Sequence, residues 1–132
     1  MLYLLDTNTV IALMKEHPKV LANVRRVGQS SLRLCAPVEA ELWYGVAKSV
    51  QQEKNRSRLL TVLEWLPSLP FAGQATEDFG YIRTHLAKLG TPIGPYDLQI
   101  AAIALAHQLT VVTNNTREFS RVPELMQEDW LL

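Results

Sequence analysis

The chain has 132 residues, enough for one domain with a substantial core. Apolar residues make up 48% and charged residues 20%, which excludes a disordered chain. Thirteen basic residues balance thirteen acidic ones, so no overall field attracts nucleic acid, and any such binding has to come from local clustering.

Read in chain order, the pattern alternates strands and helices. Leu2–Leu5 is short, continuous and apolar, the mark of a strand buried on both faces. Thr7-Asn8-Thr9 supplies cap chemistry for a helix through Val10–Lys15. Pro18 starts a helix over Lys19–Val27 that Gly28 ends. Leu32–Cys35 is the second strand, and Ala36-Pro37 turns it into a helix running to about Lys48. Gln51–Leu66 is helical with a polar first half and stops at Pro67; Leu69-Pro70-Phe71 is a short strand candidate. Thr76–Leu89 places Phe79, Ile82, Leu86 and Leu89 on one helical face before Gly90. Pro95–Leu109 is the clearest helix, followed by the strand Thr110–Thr113 and a last short strand near Leu125-Met126. Repeated short strands separated by helices imply an open, mostly parallel sheet covered on both faces, with residues 1–132 as a single α/β domain.

Targeting features are lacking in this reading. The N-terminal apolar run meets Asp6 too soon for a signal peptide, and no stretch approaches the ~20 apolar residues of a membrane span. The one cysteine, Cys35, lies in a strand and reads as core filler, so a soluble cytoplasmic setting is expected.

Three acids stand at structurally loaded places. Asp6 ends the first strand, Glu41 lies within two turns of the second strand's end, and Asp97 opens the clearest helix on the face shared with Ile100, Ala101 and Ala104. Taken singly, Asp6 and Asp97 read as helix caps and Glu41 as a solvated residue. Caps do not explain the core-facing side on which Asp97 sits. Acids at the edges of buried elements are costly without compensating cations, and none of the three has an obvious Lys or Arg beside it. They point together to a shared divalent ion, and oxygen-only ligation favours Mg²⁺ or Mn²⁺ over zinc. His17, His85 and His107 lie outside these blocks and read as surface or packing residues.

Four ordered blocks carry a family resemblance: Leu4-Leu5-Asp6-Thr7-Asn8, then Ala40-Glu41-Leu42 with Gly45, then Gly94-Pro95-Tyr96-Asp97-Leu98, then Thr113-Asn114-Asn115-Thr116-Arg117-Glu118-Phe119. Over nearly its whole length the chain resembles the PIN-domain ribonucleases, and more narrowly the VapC toxins of bacterial type II toxin–antitoxin modules. The resemblance implies a three-layer α/β/α fold with a mostly parallel sheet of about five strands. It implies Mg²⁺-dependent hydrolysis of RNA phosphodiesters, with Asp6, Glu41 and Asp97 as catalytic metal ligands. Thr7, Asn8 and Thr113 would orient waters or ligands behind them. It further implies a cognate VapB antitoxin, a homodimer, and a substrate such as initiator tRNA cut in the anticodon loop.

One block departs from the family pattern. PIN domains commonly place a fourth acid after the strand that ends here at Thr113, and Asn115 holds the nearest matching position. Asn115 can ligate weakly through its amide oxygen, and Glu118, one turn on, can supply the missing carboxylate or be a bystander. For RNA contacts, Lys48, Lys54, Arg56 and Arg58 form the densest basic segment, with Arg25, Arg26, Arg117 and Arg121 as further candidates. Two rival readings stand beside this one. One is a partner-binding protein with a relic acidic pocket. The other is an Asp-dependent phosphatase, which is disfavoured because Asn8 stands where that chemistry needs a second aspartate. No glycine-rich phosphate loop follows any strand.

Overall fold

The apolar run at the N-terminus forms β1 (Tyr3–Leu5), with all three residues buried, as expected for a strand covered on both faces. In the computed structural model, which describes residues 1–132, β1 is the middle of a five-stranded sheet. Its partners are β2 (Leu32–Cys35), β3 (Ser68–Leu69), β4 (Thr110–Val112) and β5 (Gln127–Glu128), in the order β3-β2-β1-β4-β5. Every pairing is parallel, with Leu4 opposite Arg33 on one side and Val111 on the other. Helices α1 (Thr7–Met14), α2 (Pro18–Val27), α3 (Ala36–Lys48), α4 (Gln52–Trp65), α5 (Gln74–Leu89), α6 (Pro95–His107) and α7 (Thr116–Phe119) complete a three-layer α/β/α sandwich.

The strand order places the site. From β1 the chain moves outward through β2 to β3, then returns to lay β4 against the opposite edge of β1. The order therefore reverses between β1 and β4, and the carboxyl ends of these two strands flank a crevice. Leu4, Leu5, Val111 and Val112 are fully buried directly behind it. Each such side chain contributes ~1.5–3 kcal/mol of burial to the floor of the crevice. The core extends through Ile100, Ala101, Ala102, Ile103 and Ala104 of α6, and closes at the far edge with Trp130 against Tyr3, ring centroids 5.6 Å apart.

Several local expectations change. The cap of α1 is Asp6 and not the Thr7–Thr9 triplet, because the strand delivers Asp6 in extended geometry, from which its carboxylate reaches the Thr9 N–H. The strand expected at residues 69–71 is Ser68–Leu69 and stops before Pro70, which has no N–H for the ladder. The last strand lies at Gln127–Glu128 rather than at Leu125-Met126, since it is Met126 O and Glu128 O that accept from Val111 N and Thr113 N. Cys35 is fully buried core, and burial pushes its thiol up to about 12. No helix is long and apolar enough to cross a membrane.

Candidate active site

Asp6 sits at the point where β1 becomes α1. Its N–H donates to Val112 O at 3.0 Å, tying it to the end of β4. Its Oδ1 accepts from the Thr9 N–H at 2.9 Å, and the Thr9 hydroxyl donates to the same Val112 carbonyl at 3.1 Å. The carboxylate is thus locked in one rotamer at 7% exposure, with Oδ2 free of any protein donor. Beside it, the Thr7 hydroxyl is buried and has no hydrogen-bond partner. Asn8 reaches across the crevice, its amide 3.4 Å from Asn114 Oδ1.

Asp97 enters from the other side. Pro95 occupies the first turn of α6, where its missing N–H costs nothing, and Asp97 follows two residues later near the positive end of the helix. Opposite, β4 runs out at Thr113, whose buried hydroxyl accepts the Asn115 N–H at 2.9 Å and so turns the chain. Asn115 Nδ2 then donates to Asp97 Oδ2 at 2.8 Å and to Glu118 Oε2 at 2.9 Å. Burial of Phe119 seats the short helix α7 that carries Glu118.

The two carboxyl groups share this bridge at close quarters. Burial, then the neighbouring Glu118, with a smaller push from Asp6, raises Asp97 from the usual 3.8 to about 7. Glu118 is held low by its hydrogen bond with Asp97, helped by Asn115 and Arg121. Asp6, Asp97, Asn115 and Glu118 therefore form one electrostatic unit, and around neutrality the Asp97–Glu118 pair is poised to hold one proton between them.

Glu41 comes from the middle of α3. The core face of α3 is Pro37, Val38 and Leu42, which turns Glu41 toward a cavity of about 250 Å³ between α1, α3 and α4. Ile11, Met14 and Leu59 line its apolar wall, and Lys15 and Arg58 join Glu41 among its lining. Neither cation pairs with Glu41; the molecule's one ion pair is Arg26–Glu128 at 2.8 Å, on another edge. No three His, Cys, Asp or Glu side chains close into a metal cage.

Comparison with known proteins decides the family. The PIN-domain family model matches residues 3–125. The chain is 39% identical over 132 residues to ribonuclease VapC2 of Rickettsia felis, covering 98% of each chain. It is 39% identical over 128 residues to the tRNA(fMet)-specific endonuclease VapC of Salmonella typhimurium, covering 97% of each. A chain of the DNA-bound VapBC structure from Salmonella typhimurium superimposes with a TM-score of 0.91 at 40% identity, over 98% of this chain and 99% of that one. The chain belongs to the VapC family of PIN-domain ribonucleases.

PIN-domain ribonucleases depend on divalent ions, and the side chains of this VapC-family chain suit one. The donor set is all oxygen: the free Oδ2 of Asp6, the carboxylates of Asp97 and Glu118, and the unpartnered hydroxyl of Thr7, next to Asp6 in the chain. Mg²⁺ binds through one or two carboxylates and keeps several waters, so the Asp97–Glu118 pair with Asp6 near it suits that ion without a closed cage. Asn115 fits poorly as a ligand, because the atom it presents to both acids is the amide nitrogen, a donor without an available lone pair.

The basic residues are dispersed over several elements. Arg58 lines the Glu41 cavity, and Arg117 lies exposed on α7 next to Glu118. Lys54 is exposed at the start of α4. Lys48 stacks over Tyr44 at 4.8 Å and Arg56 over Trp43 at 5.1 Å, which engages both in the α3–α4 hairpin. Arg26 and Arg121 are spent on Glu128 and on Pro92 O, 2.8 Å each. His17 caps α2 and His85 stacks on Tyr81, so both are structural. The feature that sequence reasoning missed is the bridging role of the Asn115 amide. Its only signal was an asparagine in the place of an acid.

Proposed function

We propose that this chain is the Mg²⁺-dependent endoribonuclease toxin of a VapBC-type module, cutting initiator tRNA in its anticodon loop and held inactive by a cognate VapB antitoxin. The observation that carries the reading is the Asn115 bridge that holds Asp97 and Glu118 together beside the switch point between β1 and β4, with the Asp6 carboxylate near enough to raise Asp97 and no salt bridge to any of the three. The tRNA substrate is carried from the name of the Salmonella relative, and the antitoxin from the VapBC structures that resemble this chain.

Asp6, Asp97 and Glu118 would hold the ion, with Glu41 acting through water. When bound, the ion supplies Lewis acidity to water and to the scissile phosphate. The protein does the rest. The Thr9 N–H holds Asp6 in one rotamer, so little ordering is left to be done when the site forms. The hydrophobic floor of β1 and β4 fixes the spacing of the two sides. Arg58 and Lys15 offer phosphate contacts along the Glu41 cavity, and Lys48, Lys54, Arg56 and Arg117 extend the basic track at its edges. A homodimer is the proposed assembly, checked by light scattering of the purified chain.

The test is to incubate the purified chain with transcribed initiator and elongator methionine tRNAs in Mg²⁺ and to map the new ends. Cleavage confined to the initiator anticodon loop, abolished by chelator and by Asp97→Asn, is expected. Cleavage that persists in chelator would exclude the metal reading, and an inert chain that still binds a VapB partner would favour the relic-pocket alternative.

A further inference from the structure

Asn115 immediately precedes α7, the N-cap place where an asparagine ordinarily accepts a backbone N–H of its own helix. Here its side chain makes no cap bond. The backbone N–H is tied to Thr113 Oγ1 instead, and the amide swings away from its helix to the acids. A primary amide nitrogen has two protons, and both are used: one on Asp97 Oδ2 at 2.8 Å, the other on Glu118 Oε2 at 2.9 Å. The two acceptors come from different elements, α6 and α7, and this nitrogen is the one side-chain donor that touches both.

An aspartate in this place would set a third carboxylate against two others. With asparagine, the donor sits between them and the charge sits one turn later, on Glu118. We propose that Asn115 is a positioning residue of the metal site: a neutral clamp whose amide nitrogen draws Glu118 in from α7 and fixes it beside Asp97, so that Asn115 and Glu118 together replace a single acid. The proposal rests on the metal-dependent reading of the site. It assigns Asn115 no bond to the ion and no contact with the substrate.

The clamp makes the residue pair, and not either residue alone, the functional unit. Loss of a group that orients a metal ligand lowers metal affinity by ~10–100-fold. Asn115→Ala should therefore weaken Mn²⁺ binding to the full-length chain by at least ~tenfold in calorimetry. Its cleavage should recover at high Mg²⁺ with the KM for RNA unchanged. Exchanging donor and acid, in Asn115→Asp combined with Glu118→Gln, preserves the net charge and the bridging amide, and should restore most of the affinity that Glu118→Gln alone loses. Asp97→Asn serves as the control that removes a ligand outright. Wild-type Mn²⁺ affinity in Asn115→Ala, with Asp97→Asn weakened, would overturn the clamp and leave the metal site standing. A double exchange that binds no better than Glu118→Gln alone would also overturn it. Undiminished binding in Asp97→Asn would remove the metal reading and the clamp with it.

Discussion

Replacing Asp97 by asparagine should stabilise the metal-free protein, by an amount that grows with pH. In the folded chain the Asp97 carboxyl is raised from the usual 3.8 to about 7, by burial first and by Glu118 next. Between those values the folded state keeps a proton that the unfolded chain gives up. The contribution to stability is therefore full below pH ~4 and lost as pH rises through 7. A shift of this size corresponds to ~4 kcal/mol at ~1.4 kcal/mol per unit. The group is only half-buried and Glu118 moves in the opposite direction, so screening leaves ~1–2 kcal/mol. Asparagine is neutral at every pH and still offers an oxygen to Asn115 Nδ2. In chelator at pH 8 the variant should melt higher than wild type by roughly 3–8 °C. The gap should shrink toward zero at pH 4.5. Scanning calorimetry in matched buffers reads both points, and Mg²⁺ should invert the order at pH 8 by stabilising wild type alone, by ~2.7 kcal/mol at a hundredfold excess over Kd. A gap of equal size at both pH values, or a less stable variant at pH 8 in chelator, would refute the like-charge account of this site.

Other perturbations separate the roles of the remaining residues. Expression of the chain alone should arrest growth, and Asp6→Asn should relieve the arrest at equal protein level; Asp6→Ala is the poorer probe because it also deletes the Thr9 cap bond, at ~0.5–2 kcal/mol. Glu118→Gln should lose activity mainly at limiting Mg²⁺ and regain part of it at high Mg²⁺, and an unchanged Mg²⁺ titration would make Glu118 a bystander. Arg58→Ala should raise the KM for RNA and reduce the slope of log affinity against log salt by ~1; an unaltered slope would place the RNA away from the Glu41 cavity.

What could be read from sequence follows the length of the signal. The 13 residues of α6 carry an unbroken buried stripe, so the helix and the inward face of Asp97 were legible from spacing alone. The continuous apolar run Leu2–Leu5 likewise revealed β1, and the short apolar-rich segments around Leu34 and Val111 revealed β2 and β4. The outer strands β3 and β5 are two residues each, held by backbone pairing that any side chain permits, and their positions slipped by one or two residues. Helix α7 was missed for a related reason: four residues hold no period, and its place depends on the burial of Phe119. The site divides in the same way. Asp6 and Asp97 follow from element ends. The place of the Glu41 side chain in the lining of the α1–α3–α4 cavity depends on the phase with which α3 leaves β2.

The fold tolerates this concentration of negative charge because the charged groups and the stabilising ones occupy different ends of the same strands. Leu4, Leu5, Val111 and Val112 are fully buried one or two residues before Asp6 and Thr113, so the sheet's contribution to stability is complete before the acids begin. The acids are then placed by bonds that cost little: a helix cap for Asp6, a proline-led first turn for Asp97, and a side-chain amide for Glu118. None of these bonds neutralises a carboxylate; each only orients one. The repulsion stays in the metal-free protein as a modest penalty, which a divalent cation would turn into binding energy. A salt bridge to Arg or Lys at the same positions would have been more stable, but it would have filled the mouth with the charge that the ion has to bring. Arg26 and Arg121 show that the chain bonds its arginines elsewhere, to Glu128 and Pro92 O, with Arg121 lending only its field to Glu118 and no arginine paired with a crevice acid. The unpaired charge at the switch point is therefore best understood as a requirement of the site and not as a defect of the fold.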